Sequence, residues 1–110
     1  MGVTKLEKFS EEQNKLAKLA KVLAHPARIA ILQHIIKDNS CICGDLVNEI
    51  GLAQATISQH LKELKNSGII KGNIEGTSVC YCIDQENWEH IKNTFALFFN
   101  NSTNIQTNCC

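Results

Sequence analysis

The stretch that most constrains the fold spans residues 44–68 and reads GDLVNEIGLAQATISQHLKELKNSG. Its first part predicts a short helix, with Asp45 near the start and Gly51 beyond the end. Its second part predicts a longer helix, because apolar residues recur at helical spacing and Gly68 follows the last of them. The expected buried side consists of Leu52, Ile57, Leu61 and Leu64. Two short helices joined by a tight turn form a helix-turn-helix pattern.

Two helices are predicted before this pattern. The stretch SEEQNKLAKLAKVLA begins at Ser10, which has capping-box spacing to Gln13. The stretch HPARIAILQHIIK begins a second helix, because Pro26 suits the first helical position. Its expected apolar side consists of Ile29, Leu32, Ile35 and Ile36.

A β-hairpin and a last helix are predicted after the pattern. The runs IIKGNIE and SVCYCI are rich in β-branched residues and flank Gly76, as in a hairpin. The segment DQENWEHIKNTFALFFN is helical in pattern, and Asp84 can cap its start. The predicted fold is therefore mostly α with a β-hairpin wing, a winged helix-turn-helix in the order α-α-α-α-β-β-α.

The last predicted helix has one aromatic face, formed by Trp88, Ile91, Phe95, Phe98 and Phe99. We expect much of this face to be a dimer interface, because a domain this small has a limited core. The alternative is that the face packs only within its own chain. The predicted organisation is an N-terminal arm at 1–9, one DNA-binding and dimerisation domain at 10–99, and a flexible Cys-ending tail at 100–110.

Composition limits the possible functions. The 110 residues carry 11 basic and 11 acidic side chains, so no overall excess of positive charge indicates nucleic acid. No apolar run is long enough to span a bilayer and no signal peptide is visible, which predicts a cytoplasmic protein without a membrane partner. No set of nucleophile, base and orienting group is visible either, so an enzyme is not expected.

Six cysteines form three close pairs, Cys41 with Cys43, Cys80 with Cys82 and Cys109 with Cys110. Since a reducing cytosol disfavours structural disulfides, free thiols are the preferred interpretation. Such thiols are available as ligands or as redox groups.

Four segments in this order resemble the ArsR family of small metal-responsive bacterial repressors. LAHPARIAIL (23–32) resembles the family's entry to its second helix, and CICGDLV (41–47) its thiol-bearing segment. GLAQATISQHLKELKNSGII (51–70) resembles its DNA-reading unit, and EGTSVCYCI (75–83) its wing. The resemblance covers about residues 14–99. It implies a homodimer through the first and last helices, which binds operator DNA and is released by an inducer.

The resemblance makes the polar side of the second helix in the motif the DNA-reading surface. Side chains of these types can contact base edges or phosphates in the major groove. The candidate DNA-binding residues are Gln54, Thr56, Ser58, Gln59, His60, Lys62, Lys65 and Lys71. Between residues 54 and 74 there are three Lys and one acid, a local net charge of +2. Arg28 is a further candidate for a phosphate contact, and pairing on the helix surface is equally open.

The resemblance also implies that Cys41 and Cys43 hold the inducer, a thiophilic ion. As(III) or Sb(III) is favoured, with Cd(II) or Pb(II) next, and no obligatory cofactor is expected. Thiolates select such soft ions. Gly44 departs from the arsenic-sensing pattern, so a third ligand must come from elsewhere in the chain.

Two cysteine pairs are candidates for that third ligand. Cys109 and Cys110 end a tail of about ten residues, which reaches up to ~30 Å when extended. Cys80 and Cys82 face one side of a wing strand, and packing is the preferred interpretation for them. Two other functions stay open: the same repressor switched by thiol oxidation or persulfidation, and a thiol metal buffer or interaction module without DNA function.

Overall fold

The computed structural model describes residues 8–38, 41–43, 46–74 and 79–101. Within them lie five helices and three strands. In chain order these elements are α1 (Glu11–Leu23), α2 (Pro26–Asp38), β1 (Ile42–Cys43), α3 (Val47–Ile50), α4 (Gln54–Asn66), β2 (Ile70–Asn73), β3 (Cys80–Ile83) and α5 (Gln85–Asn100). The winged helix-turn-helix predicted from the sequence is confirmed, with α3 and α4 as its motif and β2 and β3 as its wing.

Local signals set where three of the helices begin. Ser10 caps α1 in a capping box, accepting from the backbone N–H of Gln13, whose side chain accepts from the backbone N–H of Ser10. Pro26 is the first residue of α2, where its missing N–H is not needed. The side chain of Asp84 accepts from the backbone N–H of Asn87 at the start of α5.

The sheet contains one strand more than the sequence predicts. Its order is β1-β3-β2, and both neighbouring pairs are antiparallel. Ile42 lies opposite Tyr81, and both are buried at the edge of the core. Burial of this apolar pair draws the segment into the sheet. The short helix that was predicted with Asp45 near its start is α3, which begins at Val47, and the strand β1 precedes it.

The core lies between the helices and one face of this sheet. From α4 it receives Ile57, Leu61 and Leu64, as the periodicity predicts. From α2 it receives Ile31, Leu32 and Ile35, and Arg28 is buried on the same helix. Each fully buried aliphatic side chain contributes about 1.5–3 kcal/mol. Burial of these faces fixes which side of α4 is left in solvent.

The aromatic helix α5 divides into two parts. Ile91 is buried, and Trp88 and Phe95 pack against the core. Leu97, Phe98 and Phe99 are 67%, 54% and 65% exposed. The first part of the face thus belongs to the chain's own core, and the last turn remains as an exposed apolar surface. In the described part of the chain, no helix has the length and apolarity needed to cross a bilayer.

Candidate functional site: the recognition helix and four cysteines

The side of α4 that faces away from the core is polar. Gln54, Thr56, Gln59, Lys62 and Lys65 are exposed on it. Gln54 Nε2 donates to Ser58 Oγ across 3.2 Å, and Gln59 Nε2 donates to Glu63 Oε1 across 3.2 Å. The Gln54 and Gln59 side chains make only these exposed hydrogen bonds within α4, so they can exchange them for bonds to a nucleic acid.

His60 differs from its neighbours on α4 because it is half-buried. Its Nδ1 accepts a hydrogen bond from Arg28 Nε across 3.0 Å, and its ring lies 5.8 Å from the ring of His25. Burial, followed by the positive charges of Arg28 and His25, lowers the pKa of His60. The structure thus gives His60 a partner within the chain, and its contact with DNA stays a prediction.

The wing extends beside α4. Lys71 on β2 is exposed and lies opposite Cys82 on β3. Ser58, Lys62, Ile74 and Val79 line a hollow between α4 and the wing. The wing tip, residues 75–78, lies outside the described residues. The exposed face of α4 and the wing therefore form one surface, which we call the α4–wing surface.

Four cysteines lie together across β1 and β3. Cys43 is the direct cross-strand partner of Cys80, with their Cα atoms 4.1 Å apart, and their sulfurs are joined in a disulfide. The two residues are 37 positions apart in sequence. Neither is buried in the core. The expectation that all cysteines are free thiols is therefore corrected for this pair, because strand pairing brings their side chains into contact.

The register of β1 and β3, continued by two residues beyond Cys43 and Cys80, places Cys41 opposite Cys82. Neither of these two cysteines is in a disulfide. A hydrogen bond with Cys41, together with burial, raises the pKa of Cys82, against the opposing effect of Lys71. An ion that binds Cys82 must therefore displace its proton. Cys41, Cys82, Lys71, Ile35 and Trp88 line an open hollow of the surface, through which a small solute reaches both thiols.

The proximity of the wing cysteines to Cys41 and Cys43 was not predicted from the sequence. The signal was present, since Cys-x-Cys occurs twice and alternating residues of a strand share one face. The strand β1, which brings the two pairs together, had no signal of its own. Cys109 and Cys110 lie outside the described residues. Among the residues described, no three His, Cys, Asp or Glu side chains form a ready metal site; with the disulfide in place, only Cys41 and Cys82 are free thiols of the four.

Comparisons with known proteins agree with this architecture. Residues 25–71 match the family described as bacterial regulatory protein, arsR family. The uncharacterized HTH-type transcriptional regulator MJ1325 of Methanocaldococcus jannaschii is 37% identical over 84 residues, which are 74% of this chain and 93% of that protein. The HTH-type transcriptional repressor SmtB of Mycobacterium tuberculosis is 36% identical over 73 residues, 66% of this chain and 53% of that repressor. The chain thus spans about half the length of SmtB.

Among solved structures, reduced HlyU from Vibrio cholerae is similar with a TM-score of 0.59 and 26% identity. The similarity covers 87% of this chain and 98% of that one. The fold and the α4–wing surface define a winged helix-turn-helix DNA-binding protein. The chain belongs to the ArsR family of transcriptional regulators.

Proposed function

We propose that the chain is a homodimeric repressor that binds double-stranded operator DNA through its α4–wing surface and is released when a thiophilic ion binds Cys41 and Cys43. It acts in the cytoplasm, where operator DNA is found. The name of SmtB as a repressor supports the direction of regulation. α4 inserts into the major groove, with Gln54 and Ser58 as base-reading residues and Lys62, Lys65 and Lys71 on phosphates.

The position of β1 is the observation that supports regulation of DNA binding by an ion at Cys41 and Cys43. β1 follows α2 and precedes α3 by three residues, and it pairs with the wing strand β3. α2 packs directly against α4. An ion bound at Cys41 and Cys43 therefore acts on the entry to the DNA-binding motif and on the wing together. Such an ion shifts the protein away from its DNA-binding geometry, provided that it binds the released geometry more tightly.

The Cys-x-Cys segment favours As(III) or Sb(III) as the inducer, with Cd(II) or Pb(II) next. Thiolates prefer these ions to the hard cations that carboxylates bind. Cys41 and Cys43 are both exposed, and Cys41 also lines a surface hollow. Once the disulfide between Cys43 and Cys80 is reduced, this accessibility supports binding without unfolding of the core.

The test is release of reduced protein from a DNA fragment taken upstream of its own gene, followed by fluorescence anisotropy. As(III), Cd(II), Zn(II) and a persulfide donor are titrated in parallel. The C41S/C43S variant should bind DNA like the unmodified protein and fail to respond to ions. C109S/C110S tests the tail separately, since loss of the As(III) response in that variant would place the third ligand there. Absence of salt-sensitive, sequence-dependent DNA binding would reject the repressor and favour a thiol metal buffer.

A second candidate is supported by the bond between Cys43 and Cys80. In this candidate the switch is oxidation of these two thiols to a disulfide, and the oxidant takes up both electrons and both protons. A peroxide is thereby reduced to water or to water and an alcohol, and a persulfide to a thiol and hydrogen sulfide. The oxidised chain would join β1 to β3 covalently. Release by the persulfide donor alone, reversed by dithiothreitol and lost in C80S, would identify this mechanism.

A further inference from the structure

We propose that Cys80 and Cys82 of the wing complete, with Cys41 and Cys43 of the same chain, a four-thiolate site for a soft divalent ion of tetrahedral preference, such as Cd(II) or Zn(II). This inference rests on the proposed function and specifies the ligands and the ion class of its effector site. It differs from a site shared with the tail, because three of the cysteines lie on the paired strands β1 and β3 and Cys41 directly precedes β1.

The antiparallel register brings the four residues to one side of the ladder. Cys43 lies opposite Cys80, and the same register continued by two residues places Cys41 opposite Cys82. Residues two apart on a strand have side chains on the same face, about 6.6 Å apart. Ile42 and Tyr81, which alternate with the cysteines, point to the core. The core therefore fixes the opposite face as the position of all four sulfurs.

The dimensions fit a metal centre once the disulfide is reduced. The Cα atoms of Cys43 and Cys80 are 4.1 Å apart. Metal–sulfur bonds of about 2.3 Å in a tetrahedron place neighbouring sulfurs roughly 3.8 Å apart. Side-chain rotation closes the remaining gap along the strands, without breaking the ladder.

The number and charge of the ligands select the ion. Four thiolates satisfy the tetrahedral preference of Zn(II) and Cd(II), whereas As(III) uses three and leaves one sulfur without a role. Lys71 lies opposite Cys82 and offsets part of the negative charge of four thiolates around a divalent ion. The geometry thus ranks Cd(II) ahead of As(III), in contrast to the expectation from Cys-x-Cys alone.

The site also explains how the wing enters the switch. Cys80 and Cys82 bracket Tyr81, which lies opposite Gly72 on the other wing strand. An ion that cross-links β1 and β3 therefore couples the segment that leads into α3 to the wing. Metal binding and disulfide formation at Cys43 and Cys80 exclude each other, since both use the same sulfurs.

The test uses the reduced full-length chain with Cd(II) as the probe. The thiolate-to-cadmium charge-transfer band counts the bound sulfurs, and competition with a chelator gives the affinity. The C80S/C82S variant should lose about half of the band and bind Cd(II) at least tenfold more weakly. C109S/C110S, which removes the same number of thiols from the tail, should keep the full band and the affinity.

Alkylation of the unmutated protein followed by mass spectrometry keeps the inference testable if a variant fails to fold. Cd(II) should protect Cys41, Cys43, Cys80 and Cys82 and leave the tail cysteines reactive. An unchanged band and affinity in C80S/C82S, or unprotected wing cysteines, would overturn the four-thiolate site. The proposed function fails separately, if Cd(II) and As(III) still release C41S/C43S from DNA or if the unmodified protein binds no DNA.

Discussion

Arg28 on α2 donates a hydrogen bond from Nε to Nδ1 of His60 on α4, across 3.0 Å. The same guanidinium donates from Nη1 to the carbonyl of Val22 in α1, also across 3.0 Å. Arg28 is only 9% exposed. Of the two roles that the sequence left open for this residue, pairing within the chain is the one observed, and Arg28 sets the position of α4 relative to the first two helices.

Replacement of Arg28 by Met should therefore destabilise the fold. The methionine keeps much of the apolar stem but leaves the Val22 carbonyl and the His60 ring nitrogen without their donor, which typically costs about 1–3 kcal/mol. Urea unfolding at neutral pH measures the change in the free energy of unfolding. Lys18→Met is the control, because Lys18 is exposed on α1. Equal stabilities of the two variants would contradict the positioning role of Arg28.

Stability should fall as the pH decreases below about 6.5, the ordinary pKa of histidine. Because the pKa of His60 is lowered in the folded chain, the unfolded chain takes up a proton there before the folded chain does. The contribution is fully present above about pH 6.5 and is lost between that pH and the folded pKa. Thermal unfolding from pH 7 to pH 5 should show a smaller loss for His60→Gln than for the unmodified protein. His34→Gln should retain the original loss, and an unchanged loss in His60→Gln would refute the assignment.

Lys65 should contribute to DNA affinity through a phosphate. Its replacement by Gln should weaken binding to all sequences alike and reduce the slope of log K against log salt by about 1, the effect of leaving one phosphate without its cation. Anisotropy titrations at several salt concentrations, on specific and unrelated fragments, measure both effects. Lys18→Gln on α1 should leave the slope as it was. Weakening confined to one operator sequence would instead make Lys65 a base-reading residue.

The exposed last turn of α5 should be part of the dimer interface. Phe98 is 54% exposed in the single chain, so Phe98→Lys should leave the fold intact. A charge in the centre of an apolar interface is expected to weaken dimerisation at least 30-fold, as for a hot-spot loss of about 2 kcal/mol. Sedimentation equilibrium measures the dissociation constant, with Asn93→Lys on the same helix as control. An unmodified protein that is monomeric would remove the homodimer from the proposal.

The sequence predicted the helices and the wing because their signals are local. Ser10, Pro26 and Asp84 act within one helical turn, and the periodicity of α4 identified all three of its buried residues. The prediction for α2 was less accurate. Ile31 is fully buried, whereas Ile29 and Ile36 are 40% and 47% exposed. In a helix that is apolar on most sides, tertiary packing decides which side faces inward.

The sequence predicted the polar side of α4 but not the proximity of the two cysteine pairs, because the first depends on local periodicity and the second on long-range strand pairing. The polar side of α4 follows from one amphipathic helix. Of the predicted residues on it, Ser58 and His60 are half-buried and the others are exposed, and their contacts with DNA stay predictions. The proximity of Cys43 to Cys80 depends on a two-residue strand whose pairing spans 37 positions. Such a strand has almost no periodicity of its own. The strand forms because Ile42 packs opposite the buried Tyr81 of β3, and this contact exists only in the folded chain.

The backbone of Gly72 on β2 approaches the backbone of β3 so closely that no side chain fits at this position. Its φ is +120°, and a Cβ there would lie 2.8 Å from the Cα of Tyr81 and against the carbonyl oxygen of Cys80. Any side chain would push β3 away from β2, and with it the side chains of Cys80 and Cys82. For protein engineering, the consequence is that any library that varies the wing cysteines has to keep glycine at position 72 in every member.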